Sequence, residues 1–429
     1  MVQRLTKIIL QVLTICCLLG CTQPETSETP LPRVLISSDI GGTDPDDFQS
    51  MIHAFMYLDQ YQLEGLISSP YGPGRKQDIL DMIDLYESDY IELSTHSDNY
   101  PTPDVLKGIS KQGETSLAPY VGYRSSTEGS DWIIQCAKRP SEQPLWILIW
   151  GGLEDLAQAL HDDPTIKEQI KVYWIGGPNK KWSINAYSYI VQHHSDLWMI
   201  EANATYRGWF MDDEKVERLS NKSYYNHNIQ GRGTMGDAFN NYYAGEIKMG
   251  DTPSLAYVLN GDPNKPTEES WGGSFTPIDR SSHVIFDGNS SITDTVAAYA
   301  VLEWRFKGPS IEIPSDSSCF ILEIWNQKWP GYYLGDGIYA VRYSPKRPES
   351  ATYTISSQIP ELNNLTSQYV SINPWPGKAN DDDYRVGPNW FGDRSETQYF
   401  IQKQQGAKTV SKHREAFLKD WATKWNWLK

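Results

Sequence analysis

The segment that most constrains this chain is residues 33–51, RVLISSDIGGTDPDDFQSM. An apolar run ends at Asp39, glycines and a proline follow, and the acidic pair Asp46 and Asp47 comes directly before a second apolar stretch. The apolar residues of that stretch recur with the spacing of one helix face, and they are Phe48, Met51, Ile52, Phe55 and Met56. The pattern predicts a strand, an acidic loop and a helix.

The acidic loop holds four aspartates within nine residues, namely Asp39, Asp44, Asp46 and Asp47. Like charges at close range repel one another unless protons or a cation neutralise them. Helix capping is the alternative explanation, because aspartate is favoured at N-caps and in first turns. A cap needs only one aspartate, so we favour a bound metal ion.

Further apolar runs alternate with helical periodicity along the first half of the chain. Strands are predicted at residues 62–68, 145–150, 170–175 and 197–201, and helices at 76–86, 131–138, 153–162 and 186–191. Strands that are apolar throughout and separated by helices are typical of a parallel sheet with right-handed crossovers. The predicted fold class is therefore α/β, with a mostly parallel, Rossmann-like sheet flanked by helices.

Glycine pairs follow two of these strands, at Gly151-Gly152 and Gly176-Gly177, just as the acidic loop follows the first strand. Ligands of open α/β sheets bind beyond the carboxyl ends of the strands. We therefore expect these loops to converge on one edge of the sheet.

After residue 231 the pattern is less regular. Residues 233–245, 250–262 and 293–306 are predicted to be helical, and residues 319–325 and 338–344 to be strands. The tail, residues 412–428, has the spacing of an amphipathic helix that packs onto the body. Because no second linker is evident, we favour one domain over residues 33–429, with C-terminal strands and a helix as embellishments, over two domains.

The first 20 residues have a short basic region, an apolar segment and the sequence LLGC, which ends at Cys21. This pattern is typical of a secretory signal peptide with a lipidation site. The apolar segment is too short to span a bilayer as an anchor. We predict a signal peptide over residues 1–20, a lipid anchor on Cys21 in a bacterial cell envelope, and a disordered tether over residues 21–32.

The chain carries a formal net charge of −16, which becomes −18 when Arg4 and Lys7 leave with the signal peptide. This acidity argues against binding nucleic acid or anionic lipid through a basic patch, and it suits cations and neutral ligands. Aromatic residues make up 12% of the chain, which favours a ligand with a sugar or a nucleobase to stack on. Cys136 and Cys319 could form a disulfide or remain free thiols.

Six separated motifs resemble one family. In chain order they are SDIGGTDPDDFQSM, GLISSPYG, LIWGGLEDLAQAL, YWIGGPNKKWSINAYSYI, IEANATYRGW and GDTPSLAYVL. The first resembles the N-terminal motif of nucleoside hydrolases, and the set is more similar to the nucleoside-hydrolase-like domain of the Sde182 family. The resemblance covers residues 33–305 and implies a nucleoside-hydrolase-like fold.

The resemblance also implies a Ca²⁺ ion held by Asp39, Asp47, Asp251 and a backbone carbonyl at Trp150, in the loop 150–152. It implies that Asp39 is the general base for a bound water molecule and that Asp46 faces the sugar hydroxyls. A donor set made only of oxygens agrees with calcium rather than a transition metal. Asp251 has an alternative role as a helix N-cap, since it precedes a first turn that contains proline.

Substrate-binding candidates are Asn179 and Asn185, by position only, and Glu201 and Asn203, which follow a strand. Glu201 has an alternative role as the ion-pair partner of Arg207. The leading hypothesis is Ca²⁺-dependent hydrolysis of an N- or O-glycosidic bond in a saccharide or nucleoside. The alternative is a non-catalytic carbohydrate-binding lipoprotein on the same fold, and the sequence does not determine the oligomeric state.

Overall fold

The computed structural model describes residues 30–211 and 216–428. The predicted signal peptide, the lipidated Cys21 and most of the predicted tether therefore lie outside the described residues. From Pro32 onward the chain forms one compact unit. It is built around two eight-stranded sheets.

The first sheet has the strand order β3-β2-β1-β4-β5-β6-β18-β7. Its strands are β1 (Arg33–Ser38), β2 (Gln62–Ser68), β3 (Ser110–Gln112), β4 (Leu145–Ile149), β5 (Ile170–Ile175), β6 (Met199–Ala202), β7 (Phe275–Pro277) and β18 (Trp390–Asp393). All neighbouring pairs are parallel except β18 with β7. The predicted α/β class with a mostly parallel sheet is confirmed.

Helices connect the strands of this sheet and continue to the C-terminus. They are α1 (Asp46–Met56), α2 (Lys76–Ser94), α3 (Pro103–Gly108), α4 (Glu128–Ala137), α5 (Glu154–Asp162), α6 (Gly177–Trp182), α7 (Ile184–His193), α8 (Gly233–Phe239), α9 (Thr252–Leu259), α10 (Lys408–Ser411) and α11 (Arg414–Trp425). Short 3₁₀ turns lie at Pro164–Glu168, Thr205–Trp209, Glu217–Leu219, Tyr243–Gly245 and Thr397–Tyr399, and a π turn at Tyr225–Ile229.

The central strands are apolar throughout because both of their faces are covered. On β1, Val34 and Ile36 belong to the hydrophobic cluster on one side of the sheet, whereas Leu35 belongs to the cluster on the other side. Successive side chains of a strand point to opposite faces, so both faces must be apolar when helices cover both. This burial places the end of β1, and the acidic loop after it, at the centre of the sheet.

The second sheet has the order β10-β16-β15-β12-β13-β14-β11-β9. Its strands are β9 (His283–Asp287), β10 (Thr295–Ala297), β11 (Val301–Lys307), β12 (Ser318–Ile324), β13 (Gln327–Gly335), β14 (Ile338–Tyr343), β15 (Glu349–Ser357) and β16 (Thr366–Ile372). Its pairings are mostly antiparallel, and a separate two-stranded ribbon joins β8 (Arg280–Ser281) to β17 (Tyr384–Arg385).

The helix predicted over residues 293–306 is wrong, because this segment forms β10 and β11. Its apolar residues have spacing that fits a helix, yet β11 forms hydrogen-bonded ladders with β14 on one side and β9 on the other. Trp304 and Phe306 are buried in the core of this sheet. Pairing with distant strands overrides a local pattern of this kind.

The C-terminal helix α11 packs onto the first sheet's core, as its periodicity predicted. Its buried apolar residues are Phe417, Leu418, Trp421 and Trp425, and Leu428 beyond the end of the helix is buried with them. The ring of Phe417 stacks on Trp209, with the ring centroids 3.7 Å apart. Trp421 stacks on Tyr224 at 5.2 Å.

Within residues 30–211 and 216–428, no helix has the length and apolar character needed to cross a bilayer. Cys136 is buried, Cys319 is half-buried, and both are free thiols.

Replacement of Trp421 by alanine should lower the free energy of unfolding by about 3–5 kcal/mol, because it removes a fully buried indole from the core. The measurement is urea unfolding followed by tryptophan fluorescence. Ile91→Ala is the control, because Ile91 is 77% exposed and its loss should change the unfolding midpoint little. Equal effects of the two substitutions would contradict the packing described here.

Candidate functional site

The acidic loop lies at the carboxyl end of β1 and meets the loop that follows β4. Trp150 N–H donates to the Ser37 carbonyl at 2.7 Å, which continues the pairing of the two strands. Gly151 then lies so close to Asp39 that a Cβ at this glycine would be 2.8 Å from the Asp39 Cβ. The loops after β1 and β4 therefore converge, as expected for a parallel sheet.

Three carboxylates form a compact cluster at this point. Asp46, Asp47 and Asp251 each offer an oxygen, and these oxygens all lie within 4.8 Å of one another. Asp251 comes from a distant part of the chain, directly before α9. Gly250 N–H donates to Asp46 Oδ2 at 3.1 Å, which fixes the distant segment against the acidic loop.

The residues fit a metal ion. Asp251 is the N-cap residue of α9, but its side chain makes no capping hydrogen bond. Its Oδ2 atom is buried and has no hydrogen-bond partner among the described residues. A buried carboxylate oxygen without a partner is costly, and a cation would satisfy it. The donors are all oxygens, which favours a hard cation.

Burial, followed by repulsion from Asp46, raises the pKa of Asp39 to about 7. Burial, again with repulsion from neighbouring aspartates, raises the pKa values of Asp46, Asp47 and Asp251 well above the ordinary value. Without a cation, the cluster therefore retains protons near neutral pH. A bound cation would favour the ionised carboxylates.

Ser38 orients one of these carboxylates. Its hydroxyl accepts the N–H of Ile40 at 3.0 Å and donates to Asp47 Oδ1. This hydrogen bond favours the ionised form of Asp47, in opposition to burial. The last residue of β1 thus holds Asp47 in place.

Trp150 and Asn179 lie together at this edge of the sheet. The Trp150 indole N–H donates to Ser254 Oγ at 2.7 Å, and its backbone carbonyl accepts a hydrogen bond from Asn179 Nδ2 at 3.2 Å. The structure thus brings these two predicted residues next to the loop that contacts Asp39.

Three other predicted residues have their side chains engaged by protein groups. Glu201 and Asn203 are fully buried, and Glu201 accepts hydrogen bonds from Lys180 at 2.7 Å and Asn203 at 2.9 Å. The ion-pair partner of Glu201 is therefore Lys180, not Arg207. Asn185 donates to the Ala118 carbonyl at 3.0 Å. A substrate-binding role for these three stays a prediction.

The sequence reasoning missed the pair formed by Tyr71 and Glu154. Gly152 has no side chain, and the space is taken by Tyr71 Oη and Glu154 Oε2, which lie 3.5 Å apart. Burial raises the pKa of Glu154 to about 8, although the hydroxyl of Ser183, 2.8 Å away, opposes the shift. Both residues follow the carboxyl ends of strands. The expectation that ligands bind at this edge of a parallel sheet could therefore have identified them from the sequence.

The sequence profile of the cellulose-binding Sde182, nucleoside hydrolase-like domain matches residues 33–275, which is more than half of the chain. The chain belongs to this family. The matched range includes all the aspartates of the cluster, and the resemblance inferred from the six motifs is confirmed. Residues 295–358, from β10 into the second sheet, match a domain of unknown function (DUF5060). No protein with a curated description matches the chain.

One solved structure shares the fold of this Sde182-family chain at low sequence identity, and others match part of it less closely. A nucleoside hydrolase-related protein of Saccharophagus degradans, described as associated with carbohydrate metabolism, is 16% identical, covering 80% of this chain and 99% of that chain, with a TM-score of 0.50. The inosine-uridine preferring nucleoside hydrolase of Bacillus anthracis is also 16% identical, covering 59% and 87%, with a TM-score of 0.37. A purine-preferring ribonucleoside hydrolase of Gardnerella vaginalis is 15% identical, covering 58% and 84%, at 0.34.

In metal-free buffer, the protein should lose stability as the pH rises from about 4 to about 7. Burial raises the folded-state pKa of Asp39, so its stabilising contribution is complete below the ordinary aspartate pKa and is lost as the pH passes the raised value. The measurement is the urea midpoint against pH, with and without Ca²⁺. Ca²⁺ should restore the midpoint at pH 7 in the native protein but not in Asp251→Asn. Identical midpoints with and without Ca²⁺ at pH 7 would rule out the metal site.

Proposed function

We propose that this chain is a Ca²⁺-dependent hydrolase of a glycosidic bond, N- or O-linked, in a saccharide-related substrate. The observation that carries the proposal is the cluster of buried carboxylates with the unpartnered oxygen of Asp251. The family description, which names both cellulose binding and nucleoside hydrolases, supports a substrate that contains a sugar.

The proposed ligands of the ion are Asp39, Asp47 and Asp251, with the Trp150 carbonyl as the candidate backbone ligand. Asp47 and Asp251 belong to the three-carboxylate cluster, whereas Asp39 lies outside it and is hydrogen-bonded to Asp47. Ca²⁺ suits this set because it accepts irregular arrangements of carboxylate and carbonyl oxygens. When bound, the ion would orient a water molecule and make it more acidic.

Asp39 is the proposed base, and its carboxylate accepts the proton of the attacking water. It lies against Gly151, where a Cβ would come within 3.0 Å of the Asp39 Cγ, so this close approach requires glycine. Asp46 has one oxygen bonded to Gly250 N–H, and its other oxygen is the proposed acceptor for a sugar hydroxyl.

The departing oxygen or nitrogen must gain a proton as the glycosidic bond breaks. Glu154 is the proposed donor, acting with Tyr71, because its raised pKa of about 8 keeps it protonated at neutral pH. Its Oε1 atom is buried and has no hydrogen-bond partner among the residues the structure describes. A protonated acid and a base at the same edge of the sheet are what hydrolysis requires. Their presence supports a hydrolase rather than a non-catalytic carbohydrate-binding protein.

We also propose that the protein acts at the bacterial cell envelope, held by a lipid on Cys21. The sequence LLGC and the polar tether after it support this location. Metabolic labelling with a fatty-acid analogue, with Cys21→Ser as the control, tests it.

The activity test is a panel of nucleosides and oligosaccharides incubated with the protein, with Ca²⁺ or with a chelator. Cleavage of at least one substrate that stops with the chelator is the expected result. Sugar binding without any cleavage would support the carbohydrate-binding alternative instead.

Asp39→Asn should lower kcat by roughly 100-fold or more, because an amide cannot accept the proton of the attacking water. Initial rates on the cleaved substrate provide the measurement, with the folded state checked by circular dichroism. Asp98→Asn is the matched control, since Asp98 is exposed and far from the loop in sequence. A rate for Asp39→Asn equal to that of the control would reject Asp39 as the base.

Glu154→Gln should lower kcat by about 10- to 100-fold on substrates with poor leaving groups and much less on activated aryl glycosides. The amide keeps the shape of the acid but supplies no comparable proton. The comparison of the two substrate classes is the measurement. An equal loss on both classes would indicate a structural role and contradict the assignment.

A further inference from the structure

Three cationic side chains form a series that begins beside the acidic loop and continues toward the second sheet, and each interacts electrostatically with the next. They are Arg207, Lys346 and Lys181, and none of them forms an ion pair with a carboxylate in residues 30–211 and 216–428. In a chain with a net charge of −16, carboxylates are plentiful, so cations without one need an explanation. We call this group the cationic cluster.

Arg207 borders the acidic loop. It lies in the 3₁₀ turn after β6, with its guanidinium 5.2 Å from the ring centre of Tyr206. A Cβ at Gly250 would lie 3.7 Å from the Tyr206 ring and 2.5 Å from Asp46 Oδ2. Arg207 interacts electrostatically with Asp46, yet its Nε atom is buried and has no hydrogen-bond partner among the described residues.

Lys346 comes from the second sheet and lies near Arg207 and the acidic loop. It lies in the loop between β14 and β15, which is held where Tyr299 N–H donates to the Pro345 carbonyl at 2.7 Å. Tyr299 has a φ of 64°, in the left-handed region that a tyrosine rarely adopts. Such a conformation persists only where surrounding structure imposes it. Lys346 is half-buried and interacts electrostatically with Arg207 and Asp44.

Lys181 completes the cluster from α6. Its Nζ donates to Gln327 Oε1 at 2.5 Å, and its backbone carbonyl accepts the Trp329 indole N–H at 2.9 Å. Trp182 stacks on Trp329 with centroids 5.0 Å apart. The second sheet thus fixes the helix that carries Lys181.

The cations repel one another, as the aspartates do. Burial and then Arg207 lower the pKa of Lys346, and burial and then Lys346 lower the pKa of Lys181 to about 8. Glu349 acts on both lysines in the opposite direction, but more weakly than the neighbouring cation. A bound anion would relieve the repulsion that remains. Neutral sugar hydroxyls carry no charge and would leave the repulsion between the cations uncompensated.

The cations could instead serve only to balance the acidic loop. That explanation fails once a cation occupies the aspartates, because the negative charge is then already compensated. The buried, unbonded Nε of Arg207 also requires an acceptor that Asp46 does not supply. Guanidinium groups bind carboxylate and sulfate through paired hydrogen bonds.

We infer that Arg207, Lys346 and Lys181 form an anion subsite beside the aspartates, and that the substrate is a saccharide carrying an anionic substituent, either a uronate carboxylate or a sulfate ester. The inference rests on the proposed function in assuming that the bound saccharide is the substrate of a glycosidic hydrolysis. Binding at the anion subsite does not itself require that any bond is cleaved.

The test is calorimetric titration at fixed Ca²⁺ and low salt with a cello-oligosaccharide, the matched oligosaccharide oxidised to uronate at C6, and a sulfated form. A nucleoside and its monophosphate make a second matched pair. At least one acidic saccharide should bind about tenfold more tightly than the neutral one, since hydrogen bonds to charged groups are the stronger kind. The preference should fall as salt concentration rises.

Lys346→Gln should remove most of that preference and leave binding of the neutral oligosaccharide unchanged. Lys307→Gln is the matched control, because Lys307 is exposed and pairs with Ile338, at the end of β14 opposite to the Lys346 loop. Arg207→Lys is a second variant, which keeps the charge but loses the paired hydrogen bonds and should weaken only the acidic ligands.

Equal affinity for neutral and acidic saccharides would overturn the inference. So would tight binding of the nucleoside monophosphate alone, or equal losses on both saccharides in Lys346→Gln. A preference for the acidic saccharide without any cleavage would support the subsite while rejecting the proposed hydrolysis, so the two failures are distinguishable.

Discussion

Electrostatic repulsion among buried carboxylates is the constraint on which the rest of this structure depends. Asp47 and Asp251 are 4% exposed, and Asp251 keeps one oxygen without a partner. The fold accepts this cost because the parallel sheet fixes the loop ends independently of the aspartates. Val34, Leu35 and Ile36 anchor β1 through two hydrophobic clusters, so burial of apolar surface holds the acidic loop in place.

Glycines let the segments approach one another closely enough for the cluster to form. Gly151 lies against Asp39, Gly250 against Asp46, and Gly152 leaves the space that Tyr71 and Glu154 occupy. A side chain at any of these positions would separate a catalytic candidate from its neighbours. The small residues therefore determine the spacing of the charged ones.

In the first sheet, the longer strands β1, β2, β4, β5 and β6 were predictable from their apolar runs. The short strands β3, β7 and β18, of three or four residues each, were not predicted. The second sheet was not predictable, since residues 293–306 have a spacing that fits a helix until β9 and β14 pair with them. The alternation in β15, where Ala351, Tyr353 and Ile355 are buried between exposed neighbours, was a signal that sequence reasoning could have used. Asp251 was accessible only through the family resemblance, because no local pattern links it to a loop 200 residues earlier.

Lys346 was beyond prediction for the same reason, and its position changes the role of the second sheet. That sheet carries a cation to the acidic loop and fixes α6 through Gln327 and Trp329. On the proposed assignments, the two charged clusters are thermodynamically linked. A cation on the aspartates removes the negative charge that would repel an acidic sugar, so each ligand should strengthen binding of the other by the same factor. On these assignments, an acidic substrate is favoured only when the aspartates hold their metal ion. This dependence needs both the aspartate cluster and the cationic cluster.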